Sequence, residues 1–227
     1  MVWRRASAHG VIWRHGPLNQ DRYESVDAID ISGDVAIVAI TLLTLNILLG
    51  MLMSIKYNPV REWPHRHINT LKLHNWTGYL ALAASVTHPL IILLSSTARF
   101  HLVDIVYPIN APKQPWINTL GAGALYLLVF VVVTSYFRFD IGRLWWKRMH
   151  YVTYALFVLY AFHAILTDPT LKDAPLDPLD AEKLYVELCV LVVVVATGLR
   201  ARFALRQPAP RAHRPKQQRP ARKRVLA

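Results

Sequence analysis

Five long apolar runs punctuate the chain, at residues 35–55, 76–96, 117–137, 151–166 and 184–199. The first and third carry no charged residue, the second is interrupted only by His88 and Pro89, and the fifth holds one acid, Glu187. An α-helix rises about 1.5 Å per residue, so about 20 residues cross a hydrocarbon core of about 30 Å. The fourth run is short for this unless its helix starts earlier, near Lys147. Surface helices of a soluble protein keep a polar face, and the first and third runs have almost none. The pattern predicts an all-α integral membrane helical bundle with five transmembrane helices. Residues 1–32 are polar and broken by Gly and Pro, unlike a signal peptide, and read as an extramembrane leader. The membrane domain is expected over 33–203, and a basic disordered cytoplasmic tail over 204–227.

Charge sets the expected orientation, because Lys and Arg accumulate in cytoplasmic loops. Segment 56–73 carries Lys56, Arg61, Arg66 and Lys72, and segment 137–149 carries Arg138, Arg143, Lys147 and Arg148. Segment 97–116 has only Arg99 and Lys113, and 167–182 has Lys172 among five acids. The first and third loops and the tail are therefore expected inside. Five spans then place the N-terminus outside and the C-terminus in the cytoplasm, although the leader carries four arginines. A multi-pass protein of the inner (plasma) membrane follows.

Composition narrows the classes further. Apolar residues make up 54% and charged residues 18%, which excludes a disordered chain. The single cysteine, Cys189, excludes an intrachain disulfide framework and a thiolate metal cluster. The net charge of +12 owes ten Lys/Arg to residues 200–227, which hold no acid. That tail suits anionic membrane lipid. Its stretch 206–224 has no aromatic or folded reader of bases, so no nucleic-acid partner is expected. A Gly-x-Gly-x-x-Gly phosphate turn is absent from the sequence, so a nicotinamide or flavin domain is not expected within it.

Of ten histidines, four carry chemistry. His74 and His88 lie 14 residues apart on the second span, and His150 and His163 lie 13 apart on the fourth. Fourteen residues is close to four turns, about 21 Å of rise. The two spans run in the same direction, so His74 shares the cytoplasmic level with His150, and His88 shares the outer level with His163. Ionisable residues inside a membrane are functional by default. Two imidazoles facing each other across a bundle are a ready pair of axial ligands for a haem iron. The 13-residue spacing is a geometric difficulty: it rotates a straight helix by about 220° and aims His163 away from the face of His150. A π-bulge, bend or unwound end is expected near one of them.

The segments HNWTGYLALAASVTH and WWKRMHYVTYALFVLYAFH, with the Trp-x-x-x-His of Trp146 and His150, resemble the ferric reductase-like transmembrane domain. This is the membrane cytochrome b part of NADPH oxidases and ferric-chelate reductases. The resemblance extends over roughly 33–203. It implies two non-covalent b-type haems held by His74, His88, His150 and His163 as iron ligands, in the pairs His74–His150 and His88–His163. It also implies electron transfer across the bilayer to an external acceptor: a ferric chelate, oxygen or a periplasmic redox protein. The donor is then a separate cytoplasmic flavoprotein reductase or a quinol, and flavin enters only through such a partner. Two rival readings are a haem-binding membrane subunit of a quinol-fed periplasmic methionine sulfoxide reductase system and a non-haem metal-ion transporter. The related membrane subunit of that reductase system lacks the first histidine of the second-span pair, so His74 favours the two-haem branch.

Lesser features have bland readings beside functional ones. Tyr154 and Phe157 lie between His150 and His163, as core packing or as an aromatic bridge between haems. Arg61, Arg66, Arg143 and Arg148 are positive-inside signals, or partners for haem propionates. Arg99 and His101 are solvated loop residues or contacts for an anionic acceptor. His65 and His67 form a weak His-x-His.

Overall fold

The computed structural model describes residues 28–54, 69–95, 98–168 and 180–206. Arg61, His65, Arg66, His67 and nearly all of the leader and tail lie outside these residues. Every regular element among the described residues is helical. The long helices are α1 (Ala28–Ser54), α2 (Thr70–Ile92), α4 (Pro115–Tyr136), α7 (Val152–Leu166) and α8 (Ala181–Arg206), with short α3 (Leu102–Val106), α5 (Arg138–Ile141) and α6 (Arg143–His150) between them.

Four candidate spans are long and apolar enough to cross a membrane: α1, α4, α6 continued by α7, and α8. The sequence reading counts five. The remaining helix, α2, is long enough at 23 residues, but Lys72, His74, Asn75 and His88 dilute its apolar character below that of the others. The helices also begin and end away from the apolar runs. The first starts at Ala28, inside the expected leader, and the last continues to Arg206.

Local chemistry explains several boundaries. Asn69 caps α2, its side-chain oxygen accepting from the backbone N–H groups of Leu71 and Lys72 at 3.1 Å each. Pro115 opens α4 after Gln114, whose φ of 45° turns the chain in the left-handed region. Gly142, at φ 85°, separates α5 from α6.

The core gathers Ile40 and Leu43 of α1, Leu128 of α4, Leu156 and Phe157 of α7, and Val186 and Val193 of α8. Helix α2 lies along α1, and α4 packs on α7. Large apolar side chains such as Val38, Leu45, Phe130, Leu188 and Val194 point outward, as lipid-facing residues do. At one end, Arg200 donates to Ser54 Oγ at 2.7 Å and to Tyr154 OH at 3.1 Å, tying α8 to α1 and α7. The exposed Arg143, Lys147 and Arg148 of α6 share this end.

Candidate functional site

Two histidine pairs face each other across the bundle, one above the other. The His74 and His150 ring centroids are 6.2 Å apart with planes at 67°. Those of His88 and His163 are 6.5 Å apart, also at 67°. The helix carrying His150 does not run straight to His163. Helix α6 ends at His150 and α7 begins at Val152. Between them, the Tyr151 N–H donates to the Arg148 carbonyl and the Tyr154 N–H to the Tyr151 carbonyl, both at 3.2 Å. These tight i to i−3 bonds interrupt the α-helical ladder next to His150, and both rings meet partners on α2. The device is a break with a tight turn, not a π-bulge.

Each ring has its Nδ1 committed elsewhere. His74 Nδ1 donates to the Asn46 carbonyl at 3.0 Å, and His163 Nδ1 to the Ile117 carbonyl at 2.9 Å. His88 Nδ1 donates to the Ser32 carbonyl at 2.9 Å, and the Ser32 hydroxyl donates back to the His88 carbonyl at 2.9 Å. His150 Nδ1 lies 3.4 Å from Ser135 Oγ, which also accepts from Trp146 Nε1 at 3.4 Å. Trp146 stacks on His150, centroids 5.2 Å apart, which gives the Trp-x-x-x-His spacing its physical content. An imidazole that donates through Nδ1 presents a deprotonated Nε2 for ligation.

Small residues make these bonds accessible. A helical side chain leans toward the N-terminus and covers the preceding turn. The carbonyls of Asn46, Ile117 and Ser32 each lie four residues before a small residue: Gly50, Gly121 and Ala36. A Cβ on Gly50 would sit 3.3 Å from His74 Cε1, and one on Gly121 only 2.8 Å from His163 Cε1. Asn46 adds its amide, donating to the His74 carbonyl at 2.7 Å and to Thr77 Oγ1 at 3.0 Å.

Each pair opens into its own cavity. About 590 Å³ of empty space adjoins His74 and His150, and about 1360 Å³, part of it open to the outside, adjoins His88 and His163. Leu128 lines both, and is therefore their common wall. Of the two readings of Tyr154 and Phe157, core packing is the one the structure supports for Phe157. Phe157 is buried in the core and lines neither cavity, and Tyr154 OH accepts from Arg200. Arg143 and Arg148 are exposed and line neither cavity, whereas half-buried Arg138 lines the inner one and buried Lys183 the outer. Arg99 is exposed, and His101 is 85% exposed beside Asp104. Pro89 lacks the N–H that would bond the Ser85 carbonyl, and both residues line the outer cavity.

The long apolar helices and the paired, half-buried histidines among them describe a multi-pass membrane protein. The chain belongs to the family described as ferric reductase like transmembrane component, which it matches over residues 35–161. His74, His88 and His150 fall inside this match; His163 lies two residues beyond it, and α8 is outside. The match is thus shorter than the 33–203 expected from the sequence. No curated protein and no solved structure matches the chain.

Proposed function

We propose that the chain is a transmembrane b-type cytochrome. It carries electrons through two bis-histidine haems, from a donor on a separate partner to an acceptor outside. The observation that supports this reading most strongly is the pair spacing. A metal bound axially between two imidazole nitrogens, each bond about 2 Å long, separates the ring centroids by about 6 Å. The pairs stand at 6.2 and 6.5 Å. His74 and His150 would hold the inner haem, and His88 and His163 the outer. Haem, when bound, supplies a one-electron iron couple.

The chain's own residues do the rest. The carbonyls of Asn46, Ser32 and Ile117 and the Ser135 hydroxyl hold the imidazoles in one tautomer and one orientation. Leu128 keeps the two cavities a single side chain apart. The basic end at Arg138, Arg143, Lys147 and Arg148 faces the cytoplasm, where a flavoprotein reductase would dock or a quinol would enter. The acceptor side, a ferric chelate, oxygen or a periplasmic redox protein, lies beyond His88 and His163. A transporter built on side-chain metal ligands is disfavoured by the donor set. Among the described residues no group of three or more His, Cys, Asp or Glu converges, whereas paired imidazoles suit a metal whose other ligands belong to a macrocycle.

Detergent-purified protein should show b-type reduced bands and about two haems per chain, both six-coordinate and low-spin. Imidazole planes crossed at 67° leave the iron π-type orbitals nearly degenerate, so the ferric resonance should be highly anisotropic. Protein that stays colourless when haem is supplied contradicts the reading.

A further inference from the structure

The segment around α3 forms one wall of the outer cavity, where Phe100, Ile105 and Pro108 are apolar and Asp104 is not. The Tyr126 hydroxyl donates to the Val106 carbonyl and holds this wall against α4. A solvent-facing imidazole touches the carboxylate: His101 is 85% exposed and Asp104 17%, with His101 Nδ1 3.4 Å from Asp104 Oδ2. The His101 backbone N–H donates to the same oxygen at 2.8 Å. That bond is a helix cap and fixes the carboxylate in place; the imidazole contact is not needed for it. Glu182 and Lys183 of α8 also line the cavity, and Asp30, Asp34 and Asp180 lie near Glu182. Among the described residues, Asp104 is the one lining acid in contact with a solvent-facing imidazole.

We propose that His101 and Asp104 form a proton inlet to the outer cavity, and that the acceptor reduced there is a quinone, a small and mostly apolar molecule that takes up protons with its electrons. This rests on the haem reading above. Two electrons from the haem level and two protons turn the two quinone carbonyls into hydroxyls. For each proton, the Asp104 carboxyl gives its hydrogen to a carbonyl oxygen and is left as carboxylate. His101 then returns a proton to Asp104 and takes another from water, which suits an imidazole because it exchanges protons near neutral pH. A ferric chelate or a redox protein takes up electrons alone and gives such an inlet no work.

The test follows oxidation of the reduced outer haem in the full chain carrying His74→Ala, with a short-chain benzoquinone or ferricyanide as acceptor. The quinone should react more slowly in heavy water than in water, and ferricyanide at one rate in both. Asp104→Asn keeps the cap to the His101 N–H but carries no proton, and should lower the quinone rate about 100-fold relative to the ferricyanide rate. Asp104→Glu should restore most of that ratio. His101→Gln should lower it too, and added imidazole should recover it. An Asp104→Asn variant that slows both acceptors alike marks a structural role and overturns the proposal. So does an unchanged quinone rate, or a loss seen in Glu182→Gln and not in Asp104→Asn. Failure of the wild-type chain to bind haem at all overturns instead the reading on which the proposal stands.

Discussion

Replacing Gly121 by alanine tests how the outer histidine is held. The added Cβ would lie 2.8 Å from His163 Cε1 and 2.9 Å from both Nδ1 and Nε2. Carbon atoms in contact settle at about 3.5–4.0 Å, so the ring must move by about 1 Å. Its hydrogen bond to the Ile117 carbonyl, 2.9 Å long, lies in the path of that movement. Overpacking costs about 1–3 kcal/mol and a lost hydrogen bond about 0.5–1.5 kcal/mol. Taken together, outer haem affinity should fall by about 1.5–4.5 kcal/mol, roughly 10–1,600-fold. The inner haem should stay, because its pair is on the far side of Leu128. Alanine is a better helix former than glycine by about 1 kcal/mol, which offsets only part of that cost, so the haem-free protein should melt somewhat earlier than wild type. Gly50→Ala is the internal comparison. Its Cβ would lie 3.3 Å from His74 Cε1, a milder contact, and should weaken the inner haem less than Gly121→Ala weakens the outer. The assay is haem titration with thermal unfolding of the haem-free chain. Wild-type haem content in Gly121→Ala, or loss of the inner haem instead of the outer, refutes the reasoning.

Asn46→Ala removes the donor to the His74 carbonyl and Thr77 Oγ1. It should weaken the inner haem by about 1–2 kcal/mol with the outer unaffected in the same titration; equal loss at both levels would count against a local role. For topology, reporter fusions at residues 1 and 227 should give opposite sidedness, as five spans require. Reporters on the same side mean an even number of spans, with α2 not crossing.

The sequence carried the helices and the four histidines because long apolar runs and intramembrane imidazoles are conspicuous against a lipid background. The facing of His150 and His163 was not legible. The helix is interrupted at Tyr151 by a tight turn that no Gly or Pro announces. Gly50 and Gly121 were equally silent, since each matters only once a histidine from another helix reaches the carbonyl four residues earlier. Lys183 and Arg138 sit at helix ends, where a sequence shows only charge. Burial and cavity lining distinguish them from exposed Arg143 and Arg148. Phe157 was conspicuous as an aromatic between two histidines, yet aliphatic Leu128 of α4 occupies the shared wall.

The pairing of histidines across the bundle is tested most directly by haem content and stopped-flow reduction of the four single alanine variants. His88→Ala and His163→Ala should lose the same haem, the outer one, and keep an inner haem still reducible from the cytoplasmic side. His74→Ala and His150→Ala should lose the inner haem and block electron entry. If His88→Ala instead behaves like His74→Ala and unlike His163→Ala, the ligands are paired along one helix rather than across two, and the account is wrong.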